Sequence, residues 1–311
     1  MLSDIGAPYE AFTKALQLAR QGPSSPVYRI DLLTAGGRTV RTLAGLTVGG
    51  GRPFSQYKGF PDTLIVTGEP DSLDSVPLQS QLTEWLRAGD SKIRRICSVC
   101  TAVFCLASAG VLDGHRATTH WRYADRLARS YPMIEVNPEP VFLRDGKYYT
   151  SAGCTAAMDL ALTLIEEDLG CKIATEIARE MVMFLRRPGG QAQISPVLKL
   201  QMTDYDPFRE LQTWIFEHLQ LPLTVEDLAL QVHMSPRNFA RAFVLQVGVT
   251  PARFIESIRL DAARRRLEET DRNLQQIAFE CGFGSEETMR RSFVRNLRTS
   301  PSGYRARVQT A

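Results

Sequence analysis

Seven side chains near the C-terminus carry donors and acceptors suited to the edges of bases, and they fall in two matched segments. SPRNFARAFVLQVGVTPARF (235–254) and SEETMRRSFVRNLRTSPSGY (285–304) repeat at an offset of 50 residues, with Ser235 matching Ser285, Arg241 Arg291, Phe243 Phe293, Pro251 Pro301 and Phe254 Tyr304. Upstream, Ala229 and Ala278 stand 49 apart, so one copy carries a single-residue insertion at its Gly-containing turn. Helical spacing points Phe239, Phe243 and Phe293 inward. It leaves Arg237, Asn238 and Arg241 outward in the first copy and Glu287, Thr288, Arg290 and Arg291 outward in the second. Arg can bridge guanine O6 and N7, Glu can accept from cytosine N4, and Thr suits a thymine methyl. Any one arginine could equally meet a phosphate or water. A repeated helix, tight turn and second, Arg-rich helix is the form of a helix-turn-helix reader of the DNA major groove.

A second candidate for chemistry is Cys100, in Ser98-Val99-Cys100-Thr101-Ala102. It stands where an apolar strand pattern gives way to a helix, so a sharp turn should lift its side chain out of a sheet beside a helix N-terminus. That setting favours thiolate and can hold an anion; a small buried apolar residue is the plainer reading. Cys97 and Cys100 also spell Cys-x-x-Cys, which on a strand-to-turn segment reads as coincidence. Cys154 can line the same pocket or pack in the core. His115, His218 and His233 have no ligand spacing, so no metal site and no cofactor are expected.

The elements that must position these groups span 311 residues, enough for two domains with cores of their own. Six scattered cysteines give no disulfide framework. MLSDIGAPYEAF has no basic head and apolar core of a secretory signal, and no apolar run is long enough to span a bilayer, so a cytoplasmic address and no membrane partner are expected. Residues 1–206 hold 22 basic and 22 acidic side chains, whereas 207–311 hold 15 and 12, and all 15 are Arg. The net charge of +3 thus belongs to the segment with the repeat, as nucleic-acid binding would require; an Arg-rich surface alone would look the same.

Before residue 187 the pattern alternates. A helix is expected over 5–20, a breaker at 22–26, a strand over 27–35, a short hairpin near 38–51, a buried strand over 62–68, and a helix ending at Gly89. A strand then runs into Cys100 and a helix follows it; further on come a helix at 122–131, a hairpin at 141–152 and helices at 155–169 and 172–185. This is an α/β domain of flavodoxin-like type with a parallel sheet covered on both faces. Residues 187–207 gather Pro, Gly, Ser and Gln and read as a linker. In the last part, Thr224-Val225-Glu226-Asp227 is a capping box, Ser235-Pro236 and Thr250-Pro251 start helices, and the helix 251–269 is a stiff spacer of about 28 Å.

SVCTAVFCLASAGVLDGHRATTHW, TSAGCTAAMDLALTLIEEDLG and FLRRPGGQAQIS resemble the PfpI-like, class I glutamine-amidotransferase-like sensor domain of GlxA-type regulators. The resemblance implies a domain over 1–186 that senses a small amino-acid- or amine-like metabolite through Cys100, Thr101, His120 and Trp121, with no catalytic residue. Trp121 could stack on a cation or equally cap the core at the start of the helix that follows. A glutaminase would need Glu two residues after the His, and Arg122 stands there. The family's first strand is missing, so either the start site is set late or the sheet closes differently, and Asp4 is the nearest match to the acid that faces the elbow in relatives.

Residues 208–308 resemble the AraC/XylS DNA-binding domain, with helix-turn-helix units at about 224–247 and 274–297 joined by the spacer helix. Carried over, the base-facing positions are Arg237, Ala240 and Arg241, then Glu287, Thr288 and Arg291. The whole chain is therefore expected to be an effector-controlled transcriptional activator that binds promoter DNA, contacts RNA polymerase and forms a homodimer. A PfpI-like amidase or deglycase with a DNA-binding appendage is the alternative, and a DNA-binding protein without an effector is a third.

Overall fold

The computed structural model describes residues 2–19, 28–68, 76–183, 187, 189, 191–195, 198, 206–297 and 299–309, and the chain divides into two compact units, Met1–Gln193 and Ile194–Ala311. Residue 20 of the expected first helix, the expected breaker at 22–26, residue 27 of the expected strand, residues 184 and 185 of the expected last helix and much of the expected linker 187–207 lie outside the described residues.

In the first unit α1 (Leu2–Ala19) precedes the short strands β1 (Leu33–Thr34), β2 (Val40–Arg41), β3 (Thr47–Val48) and β4 (Arg52–Pro53). Then come β5 (Thr63–Thr67), α2 (Val76–Gly89), β6 (Arg95–Val99), α3 (Val103–Ser108), β7 (Arg116–Ala117), α4 (Ala124–Ser130) and β8 (Glu135–Val136). The unit closes with β9 (Phe142–Asp145), β10 (Tyr148–Ser151), α5 (Cys154–Leu169) and α6 (Cys171–Glu180). The main sheet has the order β5-β6-β10-β9, parallel except for β9. Every residue of β6 is buried, as a near-continuous apolar run in a two-sided sheet requires.

Alternation along the strands sorts the two cores. Ile96 and Tyr148, paired in register, join Leu86, Leu106 and Leu127 on one face. Their neighbours Cys97 and Tyr149 join Phe12, Leu160 and Ile177 on the other, so α1, α5 and α6 cover that side. At the N-terminal end of β6 the buried Arg95 donates to Thr63 Oγ1 (3.0 Å), the Leu164 carbonyl (3.1 Å) and Asp168 (2.5 Å), tying β5 to the end of α5.

Two expectations need correction. Over 27–35 only Leu33 and Thr34 are strand, and they pair with β4 in a separate two-stranded sheet, leaving β5 at the margin of the main sheet. The place beside β5 that the family's first strand would take holds no strand among the described residues. The helix expected to run on past residue 180 stops at Glu180. There Val182 takes φ 53°, and the amides of Val182 and Met183 turn back to the carbonyls of Arg179 and Ala178.

Among the described residues the second unit holds helices and no strand: α7 (Asp206–Glu217), α8 (Val225–Gln231), α9 (Pro236–Val247), α10 (Pro251–Glu269), α11 (Leu274–Glu280), α12 (Glu286–Leu297) and α13 (Pro301–Gln309). The capping box at Thr224 forms as expected, with Thr224 Oγ1 accepting from the Asp227 amide (3.1 Å) and the Asp227 carboxylate accepting from the Thr224 amide (3.0 Å). Asn273 and Gln276 form a second one before α11. Pro236 sits in the first turn of α9, but the Ser235 side chain makes no cap bond; Ser285, its match, accepts from the Thr288 amide at 3.2 Å. Two apolar cores result. Phe208, Phe239, Phe243 and Phe254 fill one, and Ile277, Met289 and Phe293 the other.

Candidate functional site

Cys100 sits between the last residue of β6 and α3 with φ 59°, a left-handed conformation that a residue with a Cβ adopts only under constraint. The expected elbow is present, but its chemistry is not that of a thiolate. Burial and the Asp4 carboxylate push the Cys100 thiol up to about 11, with the neighbouring Cys154 adding to the rise; the Thr101 backbone amide, donating to the sulfur, pulls the other way. Asp4 is itself buried, in the first turn of α1, and accepts from the Cys154 thiol, which burial and Asp4 also raise while a bond from Ser3 lowers it. The structure thus brings Asp4, Cys100 and Cys154 together.

The Thr101 hydroxyl is buried and donates to the Gly68 carbonyl at 3.1 Å, so its side chain fastens the elbow to the end of β5. His120 lies across α5's start: a Cβ on Gly153 would stand 3.7 Å from its ring. Its Nδ1 accepts from the Arg122 amide (3.2 Å), and burial with the Arg122 charge lowers its pKa, so the ring is neutral at pH 7. Trp121 is 48% exposed, stacks on His120 (5.5 Å between centroids) and carries the Arg122 guanidinium 5.3 Å from its ring, a place that a ligand cation would have to share. Thr119 Oγ1 donates to the Cys100 carbonyl at 3.0 Å, joining the His120 loop to the elbow. Among the described residues no three His, Cys, Asp or Glu side chains gather as metal ligands.

In the second unit Arg237, Asn238 and Arg241 on α9 and Glu287, Thr288, Arg290 and Arg291 on α12 are all exposed, and Ala240 is half-buried. Several are already paired along their helix. Arg241 donates to Asn238 (3.2 Å), and Glu287 accepts from Arg290 (2.7 and 2.9 Å) and lies 3.5 Å from Arg291.

The residues that hold these helices in place carry no motif of their own. Glu256 on α10 accepts from Ser292 Oγ (2.7 Å), Asn296 Nδ2 (3.2 Å) and Arg295, fixing α12 to α10. Arg259 donates to the carbonyls of Leu221 (2.5 Å) and Pro222 (3.2 Å), and the buried Arg264 donates to Tyr304 Oη (3.2 Å). No local signal in the sequence singles them out: Arg264 is one of three consecutive arginines, and Glu256 is followed by Ser257.

Residues 5–167 match the family model described as the DJ-1/PfpI family, and residues 228–307 match one described as a helix-turn-helix domain. The HTH-type transcriptional regulator CdhR of Pseudomonas aeruginosa is 32% identical over 280 residues, 90% of this chain and 82% of that protein. The HTH-type transcriptional regulator GlxA of Rhizobium meliloti is 27% identical over 302 residues, 96% and 91% of the two chains. Isonitrile hydratase of Pseudomonas putida is 33% identical over 171 residues, 52% of this chain and 72% of that protein. Among solved structures, that of an AraC family transcriptional regulator from Pseudomonas putida shares the fold of 58% of this chain and covers 93% of its own, with a TM-score of 0.50 at 19% identity.

Proposed function

The chain belongs to the AraC-type helix-turn-helix transcriptional regulators that carry a DJ-1/PfpI domain, and from that premise we propose that it is a cytoplasmic, effector-controlled activator. Its second unit binds a two-part promoter site. The observation that carries this reading is the pair of exposed, Arg-bearing faces on α9 and α12, joined by one uninterrupted helix of 19 residues, about 28 Å long. That length suits two recognition helices entering successive major grooves on one side of a duplex. Arg237, Ala240 and Arg241 would read one part and Glu287, Thr288 and Arg291 the other, with Asn238 and Arg290 on phosphate or flanking bases. A homodimer would read two such sites, and contact with RNA polymerase would follow from activation.

The effector in this reading is a small amino-acid- or amine-like metabolite bound near Cys100, Thr101, His120 and Trp121. Two features support a ligand rather than a substrate. The Cys100 thiol is protonated at neutral pH, and its neighbour Asp4 opposes ionisation instead of assisting it. Asp4 and the Trp121 ring both suit a cation. The likeness to isonitrile hydratase favours a second reading, turnover at Cys100; a Cys100→Ala chain that loses response to a metabolite but never had a product to lose would exclude it.

The test is selection of bound duplexes from a random library with the full chain, followed by affinity measurements. Arg237→Ala and Arg291→Ala should each cost about 5- to 100-fold and relax the preferred base at one position. Uniform weakening over all sequences would assign that arginine to phosphate, and failure to enrich any duplex would overturn the proposal.

A further inference from the structure

The block FLRRPGGQAQIS lies beyond the residues matched by the DJ-1/PfpI family and before those matched by the helix-turn-helix domain, and neither ligand recognition nor DNA reading uses it. Its described residues form a strap across the first unit. At one end Arg187 is pinned to α5: its amide donates to Asp159 Oδ1 (2.8 Å) and its guanidinium to Asp159 Oδ2 (2.7 and 2.9 Å). From there the strap runs beside the chain leading into β9. The Val141 amide donates to the Gln191 carbonyl (2.8 Å), Ala192 bridges Pro140 in antiparallel sense, and the Gln193 amide donates to the Glu139 carbonyl (2.8 Å).

An added edge strand would do that much for packing alone. The Gln193 side chain does more. Nε2 donates to the carbonyls of Thr119 (2.8 Å) and Pro138 (2.8 Å) and approaches Thr118 Oγ1 (3.3 Å), while Oε1 accepts from the Trp121 amide (2.9 Å). Two carbonyls that only accept and one amide that only donates fix the orientation of the carboxamide, and neither Glu nor Leu could replace it. The bonds to Thr119 and Trp121 straddle His120, and Thr119 Oγ1 continues to the Cys100 carbonyl. On the C-terminal side, Gln193 is followed directly by Ile194, where the second unit begins.

We propose that Gln193 is the positioning residue that couples the effector loop 118–121 to the segment entering the DNA-binding unit. The proposal rests on the reading of that loop as the wall of the effector site. A ligand that displaces His120 must break the bonds from Gln193 or carry Gln193 with it, so pocket occupancy is passed to the second unit without a rearrangement of the sheet.

Amide hydrogen exchange of the full chain tests the coupling in both directions. Gln193→Met keeps the size of the side chain and removes its bonds; amides of 119–122 should exchange about tenfold faster, with β6 and α5 unchanged. Thr119→Val cuts the tie to Cys100, and the amides of Val141 and Gln193, which bond across the strap and its neighbouring chain, should accelerate several-fold. An unchanged loop in Gln193→Met, a rise shared equally by β6 and α5, or a strap indifferent to Thr119→Val would each overturn the proposal. Neither DNA nor effector enters the assay, so a chain that enriched no duplex in the selection would leave this result standing.

Discussion

Replacing Glu256 by Ala should loosen α12 while leaving α9 in place. Ser292 Oγ belongs to a residue only 2% exposed and would lose its charged acceptor, a cost of about 1–2 kcal/mol. Arg295, two-thirds exposed, returns to water, so its part is below about 1 kcal/mol, and Asn296 keeps its bond to the Ser292 carbonyl (2.9 Å). A total near 2 kcal/mol corresponds to roughly a 30-fold rise in local opening. Exchange of α12 amides in the full chain reads this directly, and Glu256→Gln, which still accepts from Ser292, should give only a few-fold change. The interaction also has a sign in pH. Burial pushes the Glu256 carboxyl up, but donation from Arg295 and Ser292 outweighs it and the folded pKa is lowered. The stabilisation is therefore complete above the ordinary glutamate pKa and is lost as pH falls through the depressed value. If α12 exchange is unmoved by Glu256→Ala, or α9 and α12 accelerate alike, the carboxylate does not hold the second recognition helix.

Gly282 has φ 76°, and a Cβ there would stand 2.1 Å from the Leu219 carbonyl oxygen, so Gly282→Ala should destabilise the second unit by at least about 2 kcal/mol, read from its urea midpoint. His233 takes the matching place in the first copy with φ 54°, and His233→Gly should be neutral or stabilising by up to about 1 kcal/mol in the same titration. Because the Asp4 charge raises the Cys100 thiol, Asp4→Asn should lower that pKa from about 11 and speed iodoacetamide labelling of Cys100 several-fold at pH 8; an unchanged or slower rate would remove Asp4 from the elbow.

The legible parts of the sequence are those governed by local rules. The capping box at Thr224, Pro236 and Pro251 in first turns, and the phenylalanines four apart depend on neighbours within one helix, and the structure has each where the pattern puts it. The insertion between the two copies is equally local: Gly284, with φ 72°, is the extra residue of the second turn. The elbow at Cys100 follows from the strand-to-helix switch. What the sequence does not carry is the thiol's state, because Asp4 reaches Cys100 from a helix nearly a hundred residues earlier, and burial outweighs the helix terminus. Gln193, Glu256 and Arg264 are hidden for the same reason. Each acts through partners 36 to 75 residues away in the chain, and no periodicity marks such a pair.

The spacer helix shows how a non-local arrangement can still leave a trace. At about 100° per residue, Phe254 and Ile258 lie within about 40° of each other around α10, and both belong to the first core; Leu260, Ala263 and Leu267 cluster near 180–240° and belong to the second. The helix is apolar on two opposite sides in succession, so no single stripe runs its length, although each half is amphipathic. One helix without a break thus links the two apolar cores of the second unit by residue count alone. The recognition helices cannot turn independently unless α10 bends. Their separation and relative angle are set by α10, whereas side-chain pairs such as Glu287 with Arg290 lie on the exposed surface and are free to rearrange.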